Sequence, residues 1–516
     1  MLTRSLRGLA ALLAAASFLA CSDSPENTPD AGTSPPADSG TDSGTPGDGG
    51  TDDAGSGVSF RPIVHTIDEN GQVSVGQVGA WLDFPEPAAL VPGGLDDGGV
   101  KVYAARHVGG GYFIPDVPQG HYLLRFNDTH LWTDARQVEL RHTMVQRPSL
   151  EWEVPAGTAL DLSISGLAPW NEGGDMLRLS APNGGPVIED LRLSAAVHFG
   201  GSPPAPGATQ VDVRVSQFFT RLDGARGDSL WVQQLSEIAG IDGEHPYKRV
   251  VRSFHQPAVP FTPGQVTPLA VALSGGTERM VSFSLDRTAF AQQLRGGHPE
   301  ASGLTSMAWS IGARPGAEPF ARYPNNPELA FAYVYDTEPL VPFDVSFLDA
   351  FPGHWRRVAS VATTADVRLT SSSGSFTHLL SLQRHDTLEE VGETGTLAPR
   401  LGPVRNLRIN GQGATGELTG VGVTPTVSWD PPALGTATRY FVQVTPLVRE
   451  GQFFSEGVQS PAIATSTTEL RLPPGWVSGT HFVVKVTATR GAGTRSPTEG
   501  MLPLDLAEAS TGILSP

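Results

Sequence analysis

Cysteine is nearly missing from this chain: one, Cys21, stands among 516 residues. No internal disulfide can form, and neither thiol catalysis nor a cysteine-bound metal is open to anything beyond residue 21. Long apolar runs are missing too. Residues 8–20, GLAALLAAASFLA, fall short of the ~20 residues a membrane helix needs, and no later run approaches that length. Basic residues are scarce: 35 Lys and Arg against 53 Asp and Glu give a net charge of −18. That balance leaves nothing with which to hold a phosphate backbone, so nucleic acid is excluded as a partner. Helical periodicity is also rare.

What the N-terminus has instead is an address. Arg4 and Arg7 precede the short apolar run, the pattern of a secretory signal. Residues 22–57 then carry no aromatic residue and eight acids (Asp23, Glu26, Asp30, Asp38, Asp42, Asp48, Asp52, Asp53) with no base among them. Such a segment cannot bury enough apolar surface to offset chain entropy, and its charges repel one another. It reads as a disordered acidic Pro/Gly/Ser/Thr tether, with a reach of at least ~35 Å by flexible-chain scaling. Phe18-Leu19-Ala20 before Cys21 resembles the bacterial lipoprotein signal, with Phe18 where leucine is usual and Leu19 where a small residue is usual. The resemblance implies cleavage before Cys21, lipidation of its thiol, and export to the membrane as an anchored lipoprotein. An ordinary secretory signal leaving a free thiol at Cys21 is the alternative. Ser22 is compatible with the outer membrane, on the periplasmic face or the cell surface.

The remaining residues are dominated by period-2 alternation, as in ALDLSIS, TQVDVRVS, RMVSFSLD, ADVRLTS, TELRLP and HFVVKVTA, with turn residues every ten or so positions. The expected fold class is all-β: a string of antiparallel β-sandwich domains after a signal peptide (1–21) and a linker (22–57). The best helical stretch is 287–294, capped by Asp286 and stopped before Gly296 and Gly297.

Within 58–150, Gly111, Tyr112, Ile114, Val117, Pro118, Gly120, Tyr122 and Leu124 form a Gly-aromatic-apolar, Pro-x-Gly, Tyr-alternation pattern. It resembles the carboxypeptidase-regulatory-like domain, a small transthyretin-like sandwich, which implies a supporting or binding module. Within 400–507, PVRNLRI, PTVSWDPP with Trp429, RYFVQV with Tyr440, TELRLPPG and HFVVKVTATR resemble a fibronectin type III domain. The resemblance implies a buried Trp429 faced by Phe482, Val484 and Val486. Phe482 replaces the corner tyrosine, so that corner must be looser or held by other means. Segments 151–275 (a β-sandwich) and 276–399 (β-rich with one short helix) show only strand pattern. The whole arrangement resembles the exported lipoproteins of myxobacteria.

Catalysis needs a constellation, and none stands out. Ala308-Trp309-Ser310-Ile311-Gly312 lacks the first glycine and following helix of a nucleophile elbow. Glu244-His245 lacks the second histidine of a zinc helix, and a hairpin bringing His378 to His385 beside Asp386 has loose spacing for a metal site. No cofactor or metal is expected. Flat aromatic faces suit sugar rings, and four tryptophans with turn-like or polar neighbours are the candidate ligand contacts: Trp132, Trp170, Trp355 and Trp476. Trp81, Trp152 and Trp429 read as core. The expected function is a lipid-anchored, exported, non-catalytic envelope or surface protein with a binding, adhesion or spacer role. Its partners are the membrane through lipid, and envelope proteins or polysaccharide. A carbohydrate-binding accessory protein is the alternative, and behind it an exported hydrolase with its site in 151–399.

Overall fold

The computed structural model describes residues 57–67, 72–77, 87–92, 99–126, 129–145, 156–171, 173–181, 204–215, 229–240, 245–314, 320–321, 327–492 and 499–516. Cys21 and the acidic tether, with Trp81, Trp152, His198 and Glu244, lie outside the described residues.

The fold is all-β. Its backbone is a 17-stranded sheet whose ladder is unbroken from one sequence segment to the next. It starts with Met176–Ser180, Leu230–Ile238 and Tyr247–Gln256, passes to Glu328–Tyr333, Ser306–Arg314, Arg356–Ser371 and Gly374–Thr387, and crosses to Glu499–Ser510. From there it continues through His481–Ala492, Arg439–Glu450 and Ile463–Thr465. A parallel pairing of Ile463–Thr465 with Thr129–Thr133 then carries it into Tyr122–Phe126, Ala88–Pro92 and Val100–Ala104.

Four smaller sheets cover this long one, each drawn from a single stretch of sequence. A five-stranded sheet around Val58–Ile67 places Val58, Phe60 and Ile114 against Ala89, Tyr122 and Leu124. Ala159–Ser165 sits between Gln210–Val215 and Val266–Ala272, and its Leu160, Leu162 and Ile164 meet Leu177, Leu179 and Val232. Glu278–Asp286 pairs with Leu340–Leu348 and Thr396–Leu397, and the four-stranded sheet of Arg405–Ile409, Gln412–Gly413, Thr426–Asp430 and Glu469–Arg471 lies beyond it. These last two sheets share one continuous core, reaching from Phe283 and Trp309 to Trp429 and Phe482.

Alternation makes the covered strands. In Leu340–Leu348, Val341, Phe343, Val345 and Phe347 are buried while Leu340, Pro342 and Asp344 face out. Strand His481–Ala492 is different: Phe482, Val483 and Val484 are all fully buried, because both of its faces are covered. Trp429 is buried and meets Tyr440 edge-on at 5.3 Å between ring centroids. The corner that lacks a tyrosine is held by backbone: Phe482 N–H donates to Leu514 O and Leu514 N–H to Phe482 O, at 3.0 and 2.9 Å. In the N-terminal stretch Gly120 takes φ +108°, which a side chain would resist, and the Tyr122 hydroxyl donates to Ala135 O.

The helix Arg287–Gly297 begins where Asp286 accepts from Ala289 N–H at 2.8 Å and runs three residues past the expected end at 294. Phe290 and Leu294 anchor it in the core, and Gly297 lies so close to Glu508 O that a Cβ there would sit 2.4 Å from it. A second short helix, Leu388–Thr394, was not expected; Thr387 and Glu390 form its capping box.

Candidate functional site

Four tryptophans were expected at the surface, and the structure divides them. Trp170 and Trp355 are buried at 5% and 3% exposure, which corrects the expectation that both are exposed. Their neighbours in sequence are polar or turn-forming, but Trp170 packs into the core around Leu177, and Arg357 turns inward beneath Trp355 instead of pointing to water. Trp132 and Trp476 are half-buried, and the fold brings both to one seam. Trp132 lies on the strand that pairs with Ile463–Thr465 and stacks on His121 at 5.7 Å; Trp476 meets His130 edge-on at 5.0 Å.

His378 and His385 do not come together. His378 and His385 sit on one strand, opposite Val367 and Ser360, so no hairpin brings them together. His378 is pushed down to about 3 by burial, helped by Lys485 and His298; His385 is pushed down to about 3 by burial, Arg314 and Arg400. Ser360 Oγ lies 2.8 Å from His385 Nδ1, but an imidazole so far below neutral pH makes a poor general base. His245 Nε2 is 3.5 Å from Asp336, and His298 Nε2 is 3.1 Å from Thr415 O. Asp386 belongs to an ion-pair cluster with Arg384 and Arg400. Ser310 lies mid-strand, between buried Trp309 and Ile311. Among the described residues no group of three or more His, Cys, Asp or Glu side chains is placed to hold a metal ion.

What sequence reasoning missed is a cleft of about 440 Å³ where segments 151–275 and 276–399 meet. It is built by register. Leu230–Ile238 and Tyr247–Gln256 are antiparallel neighbours with Trp231 opposite His255, and as a cross-strand pair their rings stack at 3.9 Å and 13°. Phe351 comes from the loop after Leu340–Leu348, tilted on Trp231 at 4.6 Å and stacked on Trp355 at 5.0 Å. Trp355 thus backs the cleft without lining it.

The loop that delivers Phe351 is fixed by one guanidinium. Buried Arg357 donates to Asp349 Oδ1 at 2.7 Å, to Phe351 O at 2.9 Å, and to the Trp355 and Pro352 carbonyls. Ala272 and Ser274 also line it, and Ser274 is tied to Ser253 by reciprocal backbone hydrogen bonds of 2.9 and 3.0 Å. Among the described residues no Asp, Glu, Lys or Arg lines the cleft. Burial pushes the His255 imidazole down, so the ring is neutral. Trp231 Nε1 and His255 Nε2 are buried with no hydrogen-bond partner among the described residues. Trp231 and Phe351 are both buried, so little ring surface faces the cleft, and the lining offers no charged group for acid–base chemistry. The available sequence signal was the pairing of two strand patterns carrying Trp231 and His255 at matched positions.

No protein family and no curated protein matches the sequence. Among solved structures, the chain is similar to the Streptococcal ancillary pilin at 13% identity, over 61% of this chain and 94% of that one, with a TM-score of 0.12. It is also similar to a leucine-rich repeat protein from Bacteroides thetaiotaomicron at 9% identity, over 45% of this chain and 24% of that one, again with a TM-score of 0.12.

Proposed function

We propose that this chain is an exported, lipid-anchored, non-catalytic protein of the cell envelope, built to hold binding faces away from a membrane. The observation that carries the reading is the ladder running unbroken through all four β segments, which makes them one body instead of loosely strung modules. A body of that kind, on an acidic tether behind Cys21, suits presentation or spacing better than turnover. The N-terminal pattern around Gly120 and Tyr122 is read as a carboxypeptidase-regulatory-like module, and the two sheets around Trp429 as a fibronectin type III-like module. Ser22 is compatible with outer-membrane placement in the lipoprotein reading.

Membrane fractionation of wild type against Cys21→Ser tests the anchor. Wild type is expected with the membranes and the variant in the soluble fraction; equal membrane association of the two would overturn the proposal.

A further inference from the structure

We propose that the chain is built to carry tension from its membrane anchor into its body, an inference that rests on the reading of an anchored, exported protein. One arrangement recurs in three consecutive segments. In 58–150 the first strand, Val58–Ile67, lies parallel to the last described strand, Gln137–Val145, in register from Ser59 with Gln137 to Ile67 with Val145. In 151–275 the first and last strands among the described residues, Ala159–Ser165 and Val266–Ala272, are parallel from Ala159 with Val266 to Ser165 with Ala272. In 276–399 Glu278–Asp286 meets Thr396–Leu397 in the same sense, Ser284 beside Thr396 and Leu285 beside Leu397.

Direction gives this arrangement its mechanical meaning. Tension enters a segment at the N-terminal end of its first strand and leaves at the C-terminal end of its last. When those strands are parallel neighbours, the two pulls act at opposite ends of the pair and oppose one another along the strands. Ladder hydrogen bonds run across the strands, so a load along them strains every bond together and none opens first. Pulled from one end only, the same pair would peel bond by bond. Side chains add resistance in the N-terminal segment. Val58 and Phe60 on one strand and Val138 and Leu140 on the other share one buried core, with the Phe60 ring 4.8 Å from that of Phe126, so sliding either strand exposes apolar surface. The longest of the three pairings stands in the segment next to the tether, where the pull of the anchor enters.

Single-molecule force spectroscopy on the full mature chain tests this, with the thiol of unacylated Cys21, the chain's one cysteine, as the first handle. A second handle at Ala156→Cys pulls Gln137–Val145 from its C-terminal end, and one at Asp134→Cys pulls it from its N-terminal end; both positions are exposed. The same ladder is thereby loaded along its strands in one case and peeled in the other. The Ala156 handle is expected to need at least about twofold more force at equal pulling speed, with a released length of about 300 Å, the extended span of 58–145. A force ratio near one or below it, or a released length matching Val58–Ile67 alone, would overturn the proposal. Membrane partition of Cys21→Ser is read separately, so failure of the clamp and failure of the anchor are distinguishable.

Discussion

Arg400 donates to Asp505 at 3.0 Å, joining the start of the C-terminal segment to its last strand. The same guanidinium pairs with Asp386, which accepts from Arg384 at 2.6 Å, and Arg384 stands opposite Asp505 in the ladder between Gly374–Thr387 and Glu499–Ser510. Asp386 and Asp505 are buried, so these charges are held by one another and not by water.

Removing one member of that cluster leaves buried charge without a partner. Asp386→Ala is expected to lower unfolding free energy by about 3–5 kcal/mol, read by urea denaturation. A double-mutant cycle with Arg400→Ala should show strong coupling between the two sites. Additive losses would mean that the cluster is not a unit.

Gly297 reverses a general rule. Glycine to alanine inside a helix usually adds up to about 1 kcal/mol. At Gly297 the new Cβ would meet Glu508 O at 2.4 Å, whereas at neighbouring Gly296 the nearest atom is Pro403 Cγ at 3.4 Å. Gly297→Ala should therefore lower the melting temperature, and Gly296→Ala should leave it unchanged or raise it.

Acid should weaken the fold through two histidines. His378 and His385 titrate near 3 when folded and near 6.5 when unfolded, so the unfolded chain binds more protons between those values. Their contribution is complete above about pH 6.5 and is lost as pH falls toward 3, each at up to about 1.4 kcal/mol per pH unit. Asp505, raised by burial, acts in the opposite sense, its contribution fading as pH rises through its folded value. Neither ring nitrogen of His378 has a hydrogen-bond partner among the described residues, and Glu456 is 4.0 Å from Nδ1. His378→Leu should flatten the acid slope in denaturation measured from pH 7 to 5.

Trp132 and Trp476 secure the seam between the N-terminal and C-terminal stretches. Truncating either to alanine should speed hydrogen exchange at residues 129–133 and 463–465 by about tenfold, leaving the core strand His481–Ala492 protected. Uniform acceleration would place these rings in global stability instead.

The sequence made the strands legible wherever one face meets water. The alternation of Val341, Phe343, Val345 and Phe347 is one such pattern, and Asp286 marks a helix start by its own chemistry. The strand His481–Ala492 is legible as well, but the cover on its second face is not: Val483 is as buried as Phe482 and Val484, which alternation alone does not show. The joining of segments was illegible for a related reason: pairings such as Leu382 with Ala507 and Ala464 with Leu131 depend on registers between strands far apart in sequence. The cleft shares that origin. Trp355 drew notice for its polar neighbours, yet Trp231, in an apolar run, lines the site, because its register places it opposite His255.

Whether the protein is anchored depends on what becomes of Cys21. Mass spectrometry of the N-terminal peptide from the mature protein, purified from its own membranes, is the direct measurement. A peptide beginning at Cys21 and bearing a diacylglyceryl thioether is the predicted result. An unmodified Cys21, or a mature chain beginning elsewhere, would contradict it.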